Sequence, residues 1–596
     1  MFSPPASYCI LVPMVKRSKF VLFLLVVVFI AAASAEVGPV KSVIYPIEST
    51  LYADMDALYA ICGLARPSTN RPWSDSEARS ILDRVDASTL SGVASKLYDR
   101  ILSVLDEGLR WKFGDDFQMN VGLDLGLEMY AHSNTEDFTT EDDWVRSYQD
   151  RMSLMRVRFE FTASDYFYTT SDIHYKWGRA DYNDHFGNQI EDGHTSEDGY
   201  IASYKIDGTA YYVKKSYAFS QGFFTSFFTN TMNFSFIWPK QAIFSLGGNT
   251  WNLSISRDRL SMGNARFGNL LVDDHHFSDY ARLSIFGKYF KYDWVLMFLN
   301  TIVTNNEDHA ASEGRVFMIH TLQFRIMDMV SLTISENVMY KYSTAELLYA
   351  NPSFIFHNLN NRSMFNAMAY AEVNVAPLPG LEARFQFALD QARAPHEGDN
   401  QSDSSGFVAG VEYTCVLGEG YLATYAEYAQ TTPLLYRRDK IDFVRVNRYW
   451  CHSSTDESFY GGHVPFFDYI GFPYGGDCRL LEIRSTYTSL NHWSASFFFR
   501  GMDHGVMNVY KSHNVDKHNE GDANYKGDTP SGDVITRTVI CGIEFKADLD
   551  SLLSWPGFSF SGELDWINRW NYTKETREYS GHQADLQFTL GMTIAI

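Results

Sequence analysis

The most compact grouping of chemically able side chains is Asp273-Asp274-His275-His276. Carboxylates and imidazoles are metal ligands, but four adjacent residues rarely converge on one ion. No matching His or carboxylate pair stands at helical spacing to complete a shell. Signatures of nucleophilic catalysis are equally thin. The chain has 17 His and many Ser, yet no G-x-S-x-G elbow and no H-E-x-x-H pair. Gly501-Met502-Asp503-His504-Gly505 sets an acid beside a base, as rim-sited hydrolases on barrels do. It reads as an ordinary turn between strands. The expectation is a non-enzyme, with no cofactor and no metal.

Groups suited to binding are better represented. Carbohydrate recognition uses aromatic faces for stacking and planar polar groups for hydroxyls. Tyr449-Trp450, His452, Tyr460, Phe466-Phe467 and Tyr469 supply the rings. Arg445, Asn447, Arg448 and Asp468 supply the polar groups, and Tyr474-Gly475-Gly476-Asp477 closes the stretch. The competing reading is an interface girdle or loop packing. Arg257, Arg259 and Arg282 are candidates to line an interior and meet acidic sugars. Arg282 and Ser284 are out of phase with Ala281, Leu283 and Ile285, which turns Arg282 inward. Inward arginines in barrels are commonly paired with inward acids that fill the pore. Glu336 shares parity with Leu332 and Ile334, the apparent lipid face. Charge on that face at midplane costs about 2–4 kcal/mol for a base and less for an acid. Glu336 therefore belongs at an interface or on a bulge that turns it inward. Asp390 follows Gln386 and Ala388 and reads as pore-lining.

The elements that must carry these residues change character along the chain. Lys16, Arg17 and Lys19 precede the apolar run Phe20 to Ile30, and Ala33-Ser34-Ala35 offers a small-x-small cleavage site. Residues 1–35 are expected to be a signal peptide, with Met14 the better start and the mature chain beginning at Glu36. The apolar run falls short of the roughly 20 residues a spanning helix needs. Residues 36–112 read as a small helical domain. Leu51, Met55, Leu58, Tyr59 and Cys62 share one face, and Gly63 can stop that helix. Ser74-Asp75-Ser76-Glu77 is a capping box, and Leu90 to Leu109 forms a third helix. A bundle this short needs a surface to pack on.

From Phe117 the hydrophobic period drops from 3.6 to 2, with Phe117, Met119, Val121, Leu123, Leu125, Leu127 and Met129 on one face. Val157 to Phe161, Trp251 to Ile255, Leu381 to Asp390 and Phe558 to Trp566 repeat the pattern less cleanly. Leu586 to Ile596 repeats it most strongly. In a membrane barrel the apolar face meets lipid and the polar face lines the interior. The fold class expected is mainly β: a transmembrane antiparallel β-barrel over residues 113–596, of about 16–18 strands. Behind it stands the small N-terminal α-helical domain.

Composition agrees. Tyr, Phe and Trp number 37, 44 and 12, as interface girdles require. The net charge of -22 argues against a nucleic-acid partner. It is scattered through loops such as Thr135 to Asp143 and Asp192 to Asp198, where it reads as solvated charge. Five of the six cysteines follow the cleavage site, an odd count that makes no disulfide framework. Cys451 and Cys478 are candidates for one bridge in an oxidising compartment.

Three spaced segments resemble the Wzi-type capsule assembly family of outer-membrane β-barrel proteins. The first is Trp251 to Gly263, then Asn269-Leu270-Leu271 and Ser278 to Ser284. The second is Leu332 to Tyr340, then Asn351-Pro352 and Phe356-His357-Asn358. The third is Asn366, Pro379-Gly380-Leu381 and Leu389-Asp390. The family turn is usually richer in Trp and Gly than Ser261-Met262-Gly263-Asn264. The last strand also resembles the signal by which the barrel-assembly machinery recognises clients, with Ile596 in place of the usual aromatic. The resemblance implies a role in binding or assembling surface polysaccharide, in the outer membrane of a diderm bacterium, with the helical domain periplasmic. Outer-membrane lipid and surface polysaccharide are the implied partners. Arg257, Arg259, Arg282, Glu336, Asp390, Trp450, Tyr460 and Asp468 are the candidate glycan-binding residues. The alternative is a porin or transport channel for small solutes.

Overall fold

The computed structural model describes residues 40–114, 116–134, 136–138, 145, 152–177, 200–206, 209–214, 234–299, 314–342, 351–353, 365–391, 404–437, 441–452, 461–507, 528–549 and 557–596. The expected signal peptide and most of the two acidic stretches lie outside these residues.

The first structured region holds α1 (Thr50–Ile61), α2 (Asp75–Leu82) and α3 (Val93–Asp106). Ser49 caps α1, its hydroxyl accepting from the Leu51 N–H at 3.3 Å. Gly63, at φ +71°, ends that helix as its position predicts. Ser74 caps α2 through the Glu77 N–H at 3.3 Å. The reciprocal half of the capping box is absent: the Glu77 carboxylate accepts from Lys291 Nζ at 2.5 Å instead. Sequence alone assigns Glu77 to its own helix; the barrel takes it. α3 begins at Val93 rather than Leu90, because Gly92, at φ +60°, stands before it. Leu51, Met55 and Leu58 meet Leu97, Ile101 and Leu105 in one core, which Tyr421 and Leu490 of the barrel complete. The surface the short bundle needs is thus the barrel.

Eighteen antiparallel strands form that barrel. They begin with β1 (Phe117–His132), β2 (Met155–Ala163), β3 (Phe167–Trp177), the two-part β4 (Phe234–Ile237 and Ala242–Gly247), β5 (Trp251–Arg259) and β6 (Phe277–Phe286). Next come β7 (Phe290–Leu299), β8 (Gly314–Ile326), β9 (Val330–Tyr342), β10 (Phe365–Leu378), β11 (Leu381–Gln391) and β12 (Ser404–Leu417). Last are β13 (Gly420–Thr431), β14 (Cys478–Ser489), β15 (Trp493–His504), β16 (Val534–Asp548), β17 (Phe558–Thr573) and β18 (Glu578–Ala595). β18 closes the sheet on β1, with Leu590 opposite Met129 and Ala595 opposite Asp124. Closure removes every unpaired edge, the condition for a sheet to sit in lipid.

Period-2 alternation sorts the side chains. In β5, Asn252, Ser254, Ser256 and Asp258 are buried inward, while Trp251 and Ile255 are exposed outward. Phe159, Ile285, Ile334, Phe387, Ile483, Ile543 and Trp566 are likewise exposed on the outer wall. A ring belt runs round one rim through Phe117, Phe161, Phe167 and Phe244 and through Tyr487, Trp493, Phe545 and Phe560. An apolar band with an aromatic girdle is the surface that hydrocarbon and headgroups solvate.

The helical domain covers this same rim, the end with short turns. Ala65 N–H donates to Asp328 O at 2.8 Å and Gly380 N–H to Ala60 O at 2.7 Å, one bond at each of two turns. Segment 260–276, between β5 and β6, is no simple turn: it runs into the lumen. Ser261–Met262 pairs with Asn70–Arg71 of the helical domain as a two-stranded sheet inside the barrel. Leu260, Met262, Leu270, Leu271 and Val272 then pack on the inward Val295, Met297, Phe317, Ile319, Met339 and Met368. Leu435, Tyr436, Phe443, Ile470 and Phe472, from the β13–β14 connection, complete the same core. One side of the lumen is therefore a hydrophobic plug. Two sequence expectations change. Residues 501–504 are not a turn but the end of β15, with Asp503 Oδ1 accepting from Arg537 Nε at 2.6 Å. Cys478 is a free thiol buried in the plug core, so it forms no bridge with Cys451.

Candidate functional site

The lumen is where inward polar side chains converge, and it has two unlike halves. Below the plug, cations and acids from three sources lock together. Arg66 and Arg71 come from the helical domain, Arg266 from the plug, and Glu382, Arg384, Glu412 and Glu427 from β11 to β13. Arg266 donates to Glu412 through Nε and Nη2, each at 2.7 Å, and to Asp56 through Nη1 at 2.9 Å. Arg384 donates to Glu427 at 2.8 Å and to Glu412 at 2.9 Å. Arg66 reaches Glu382 at 3.2 Å and Glu412 at 3.1 Å, and Arg71 reaches Asp56 at 2.7 Å. The Arg266 and Phe267 N–H groups also donate to Glu427. Burial works to raise the Asp56 carboxyl, but Arg71, Arg66 and Arg266 outweigh it and hold it below the usual carboxylate range. A second lock joins Arg282 to Asp293 at 2.9 Å and to the Pro72 carbonyl at 2.7 Å, with Lys291 bridging Glu77 and Asp293. Buried charges this well paired act as rigid struts.

The sequence candidates divide among different places. Arg282 faces inward, as its parity predicts, and is fully used by the second lock. Arg257 faces outward, because the even positions of β5 are the buried set; it lies 3.6 Å from Asp279 on the neighbouring strand. Arg259, at the strand end, reaches Glu48 at 3.4 Å and borders the lumen. Glu336 keeps its outward parity with no bulge, opposite His320 and Ala369. Its outward neighbours Val338 and Tyr340 are buried with Leu296, Val316, Met318 and Phe365, so this stretch of wall is covered. Asp390 faces inward and accepts from the Tyr436 N–H at 3.0 Å, anchoring the plug. Asp468 accepts from His276 at 3.0 Å. Burial pushes the His276 imidazole down to about 4, against the pull of Asp468, so at neutral pH this contact is a hydrogen bond rather than an ion pair. Trp450 lies on the hairpin Val444–His452 with Gly461–Tyr469. Tyr460 lies outside the described residues. The aromatic stretch from 443 to 472 thus supplies plug core at Phe443, Tyr469 and Phe472. Asp273 accepts from the His275 ring at 3.0 Å, and its other oxygen takes the Asn269 N–H at 2.7 Å. No group able to hold a metal is found among the described residues.

The other half of the lumen is open. A cavity of about 970 Å³ extends from Pro46 to Thr50 of the helical domain to Met152 and Ser153 on the long-loop side. Its wall holds one hydrogen-bonded line: Ser153 Oγ lies 2.7 Å from His174 Nδ1, and His174 Nε2 lies 2.7 Å from Asp172. Asp172 is also held by Arg156 at 3.0 Å and the Gln241 N–H at 2.7 Å. The serine meets the imidazole nitrogen next to the backbone. The line pins segment 152–154 to the wall.

Sequence reasoning missed Asp56, Arg66, Arg266 and Glu412. Their partners are up to 346 residues away, and no local spacing marks them. Inward parity on an alternating strand is the one local signal that marks Glu412 and Arg384.

No family model and no curated protein sequence matches the chain. Among solved structures it is similar to Pseudomonas aeruginosa OccK3 (OpdO), at 8% identity over 80% of this chain and 95% of that one, TM-score 0.37. For Acinetobacter baumannii OccAB4 the values are 9%, 80%, 98% and 0.38. It is also similar to Wzi, an outer-membrane protein involved in group 1 capsule assembly in Escherichia coli and a carbohydrate-binding β-barrel. There the identity is 10%, the match covers 92% of this chain and 99% of that one, and the TM-score is 0.54. This chain therefore has the fold of the Wzi barrel over nearly its whole length.

Proposed function

We propose that the protein is an outer-membrane barrel that binds surface polysaccharide or helps assemble it, with its helical domain on the periplasmic side. The observation that carries the reading is the locked lumen. Helical domain, plug and wall are tied by buried ion pairs, an arrangement suited to a rigid scaffold and ill suited to a through-pore. Shared fold with a carbohydrate-binding capsule-assembly barrel supports it. The helical domain sits at the short-turn end, the end that faces the periplasm in outer-membrane barrels. Its long-turn end then meets the cell surface, where polysaccharide lies. Lipid around the outer wall and the barrel-assembly machinery during biogenesis are the other proposed partners. Recognition without catalysis is proposed: the Ser153–His174–Asp172 line is a strut, and purified protein releases no acid from ester substrates. Deletion of the gene is expected to strip glycan from the cell surface. Unchanged surface glycan, with no binding by the purified protein, would overturn the reading. The open cavity favours a second reading, a solute channel, which planar-bilayer conductance tests.

A further inference from the structure

The open half of the lumen has no part in the locks described above, and its charges do not balance. Most are spent on neighbours. Arg156 donates to Asp172 at 3.0 Å and to Gln241 at 3.0 Å. Arg484 donates to Glu544 at 2.7 Å, and Arg500 donates to Glu482 at 2.8 Å while lying 4.0 Å over the Phe267 ring. Among the acids, Glu544 is engaged by Arg484 and Glu48 by Arg259 at 3.4 Å. Glu107, Asp124 and Glu563 also border the cavity, so five acids face seven Lys and Arg side chains. Arg158 on β2 and Lys546 on β16 are left over. Both border the 970 Å³ cavity, and among the described residues neither has a hydrogen bond or an ion pair. Arg158 Nε is buried from solvent with no acceptor. Arg66, Arg266, Arg282, Arg384, Arg484 and Arg500 in the same lumen each have at least one acceptor, although Arg66 Nε and Arg384 Nη2 also lack a hydrogen-bond acceptor; Arg158 has none among the described residues. A buried donor without an acceptor is unfavourable, more so when charged, and an incoming anion would relieve it.

The cavity is large enough for more than a simple ion. Its volume lies at the upper end of pockets that enclose drug-sized ligands, roughly 300–1,000 Å³. Both polar and apolar surface face it, with Ser561 available to a hydroxyl. Arg158 and Lys546 stand four strands apart around the wall, about 19 Å across the strands at roughly 4.8 Å each, and six residues out of register, about 20 Å along them. One small anion cannot span that; a short chain with acidic groups can.

We propose that this cavity is a binding site for an acidic oligosaccharide, with Arg158 as the bidentate anchor for one anionic group and Lys546 as a second contact. The proposal rests on the glycan-binding reading for its ligand class and adds where the ligand sits and what charge it carries. Guanidinium favours planar carboxylate, and it also accepts sulfate; the two are separated by choice of probe.

The test uses the full-length protein in detergent micelles and isothermal titration calorimetry. Trigalacturonate, a sulfated trisaccharide and neutral maltotriose are the probes. Binding is expected for one or both acidic probes, weakening as ionic strength rises, and absent for maltotriose. Arg158→Gln is expected to lose affinity about tenfold, with Arg158→Lys intermediate and Lys546→Gln smaller. Circular dichroism and heat-modifiable gel mobility of each variant establish that the barrel is intact. Equal affinity for neutral and acidic probes, or Arg158→Gln binding as wild type, would overturn the site. Purified surface polysaccharide distinguishes the two failures. If it binds wild type and Arg158→Gln equally, the lumen site falls and the glycan-binding reading stands. If trigalacturonate binds through Arg158 while surface polysaccharide does not bind, the site stands and that reading falls.

Discussion

Arg384 shows how much one lumen side chain can hold. It donates to Glu427 and Glu412 together, and both acids are buried. Arg384→Met strands part of their charge and is expected to cost about 3–5 kcal/mol, read as a lowered melting temperature in micelles. Adding Glu427→Leu to that variant should restore part of the loss, the non-additive sign of a shared strut. A second residue-scale prediction concerns pH. The folded Asp56 carboxyl is held below its unfolded value of about 3.9. Its contribution to helical-domain docking is therefore complete above that value and is lost as pH falls through the lower folded one. Asp54 and Asp75, raised by burial against Arg100 and Arg79, act with the opposite sign. The difference between wild type and Asp56→Asn in protease protection of residues 40–110 isolates the Asp56 part. That difference should be full at neutral pH and shrink only in strong acid. Little of this was legible beforehand. Parity turned Arg282 and Asp390 inward correctly, because alternation is local. Arg266 meeting Glu412 depends on a plug path that no neighbouring residue announces.

Among elements, segment 260–276 departs furthest from a sequence reading. Trp251 to Gly263 reads as a strand entering a turn, and β6 does return beside β5, Trp251 opposite Ile285. Between them the chain fills the lumen instead of reversing. Gly263 is the hinge of that path: at φ +144°, an added Cβ would stand 2.4 Å from Asn269 Oδ1 and 2.7 Å from Gln386 Nε2. Gly263→Ala is expected to cost about 1–3 kcal/mol by overpacking, and to quicken hydrogen exchange in 260–276 while the strands stay protected. The strands were the readable elements, most of all β18, whose apolar positions alternate without interruption from Leu586. The broken β4 was not, since Trp238-Pro239 interrupts its alternation and proline cannot donate to a ladder. For the helices, apolar spacing placed α1 and its stop at Gly63. It could not show that Glu77 leaves its capping box for Lys291, a choice made by the barrel wall.

At the scale of the molecule, a barrel of this strand number can hold an aqueous channel; this one fills half of its bore. The expected electrical behaviour is a silent or weakly conducting protein in planar bilayers. Replacing residues 260–276 by a short turn should raise conductance, because the plug rather than barrel diameter sets it. A steady, large conductance from the intact protein would favour the solute-channel reading. The strand number and the helical domain were within reach of sequence, since length divided by strand-plus-turn fixes the first and a change of period marks the second. A half-filled lumen was not, as it arises from contacts between segments hundreds of residues apart. The most direct test of the central claim is equilibrium binding of the purified full-length protein to polysaccharide from its own cell surface, measured by calorimetry in micelles. Saturable binding of that polysaccharide by a barrel that conducts little is the predicted result; no binding, together with open-channel conductance, would contradict the account.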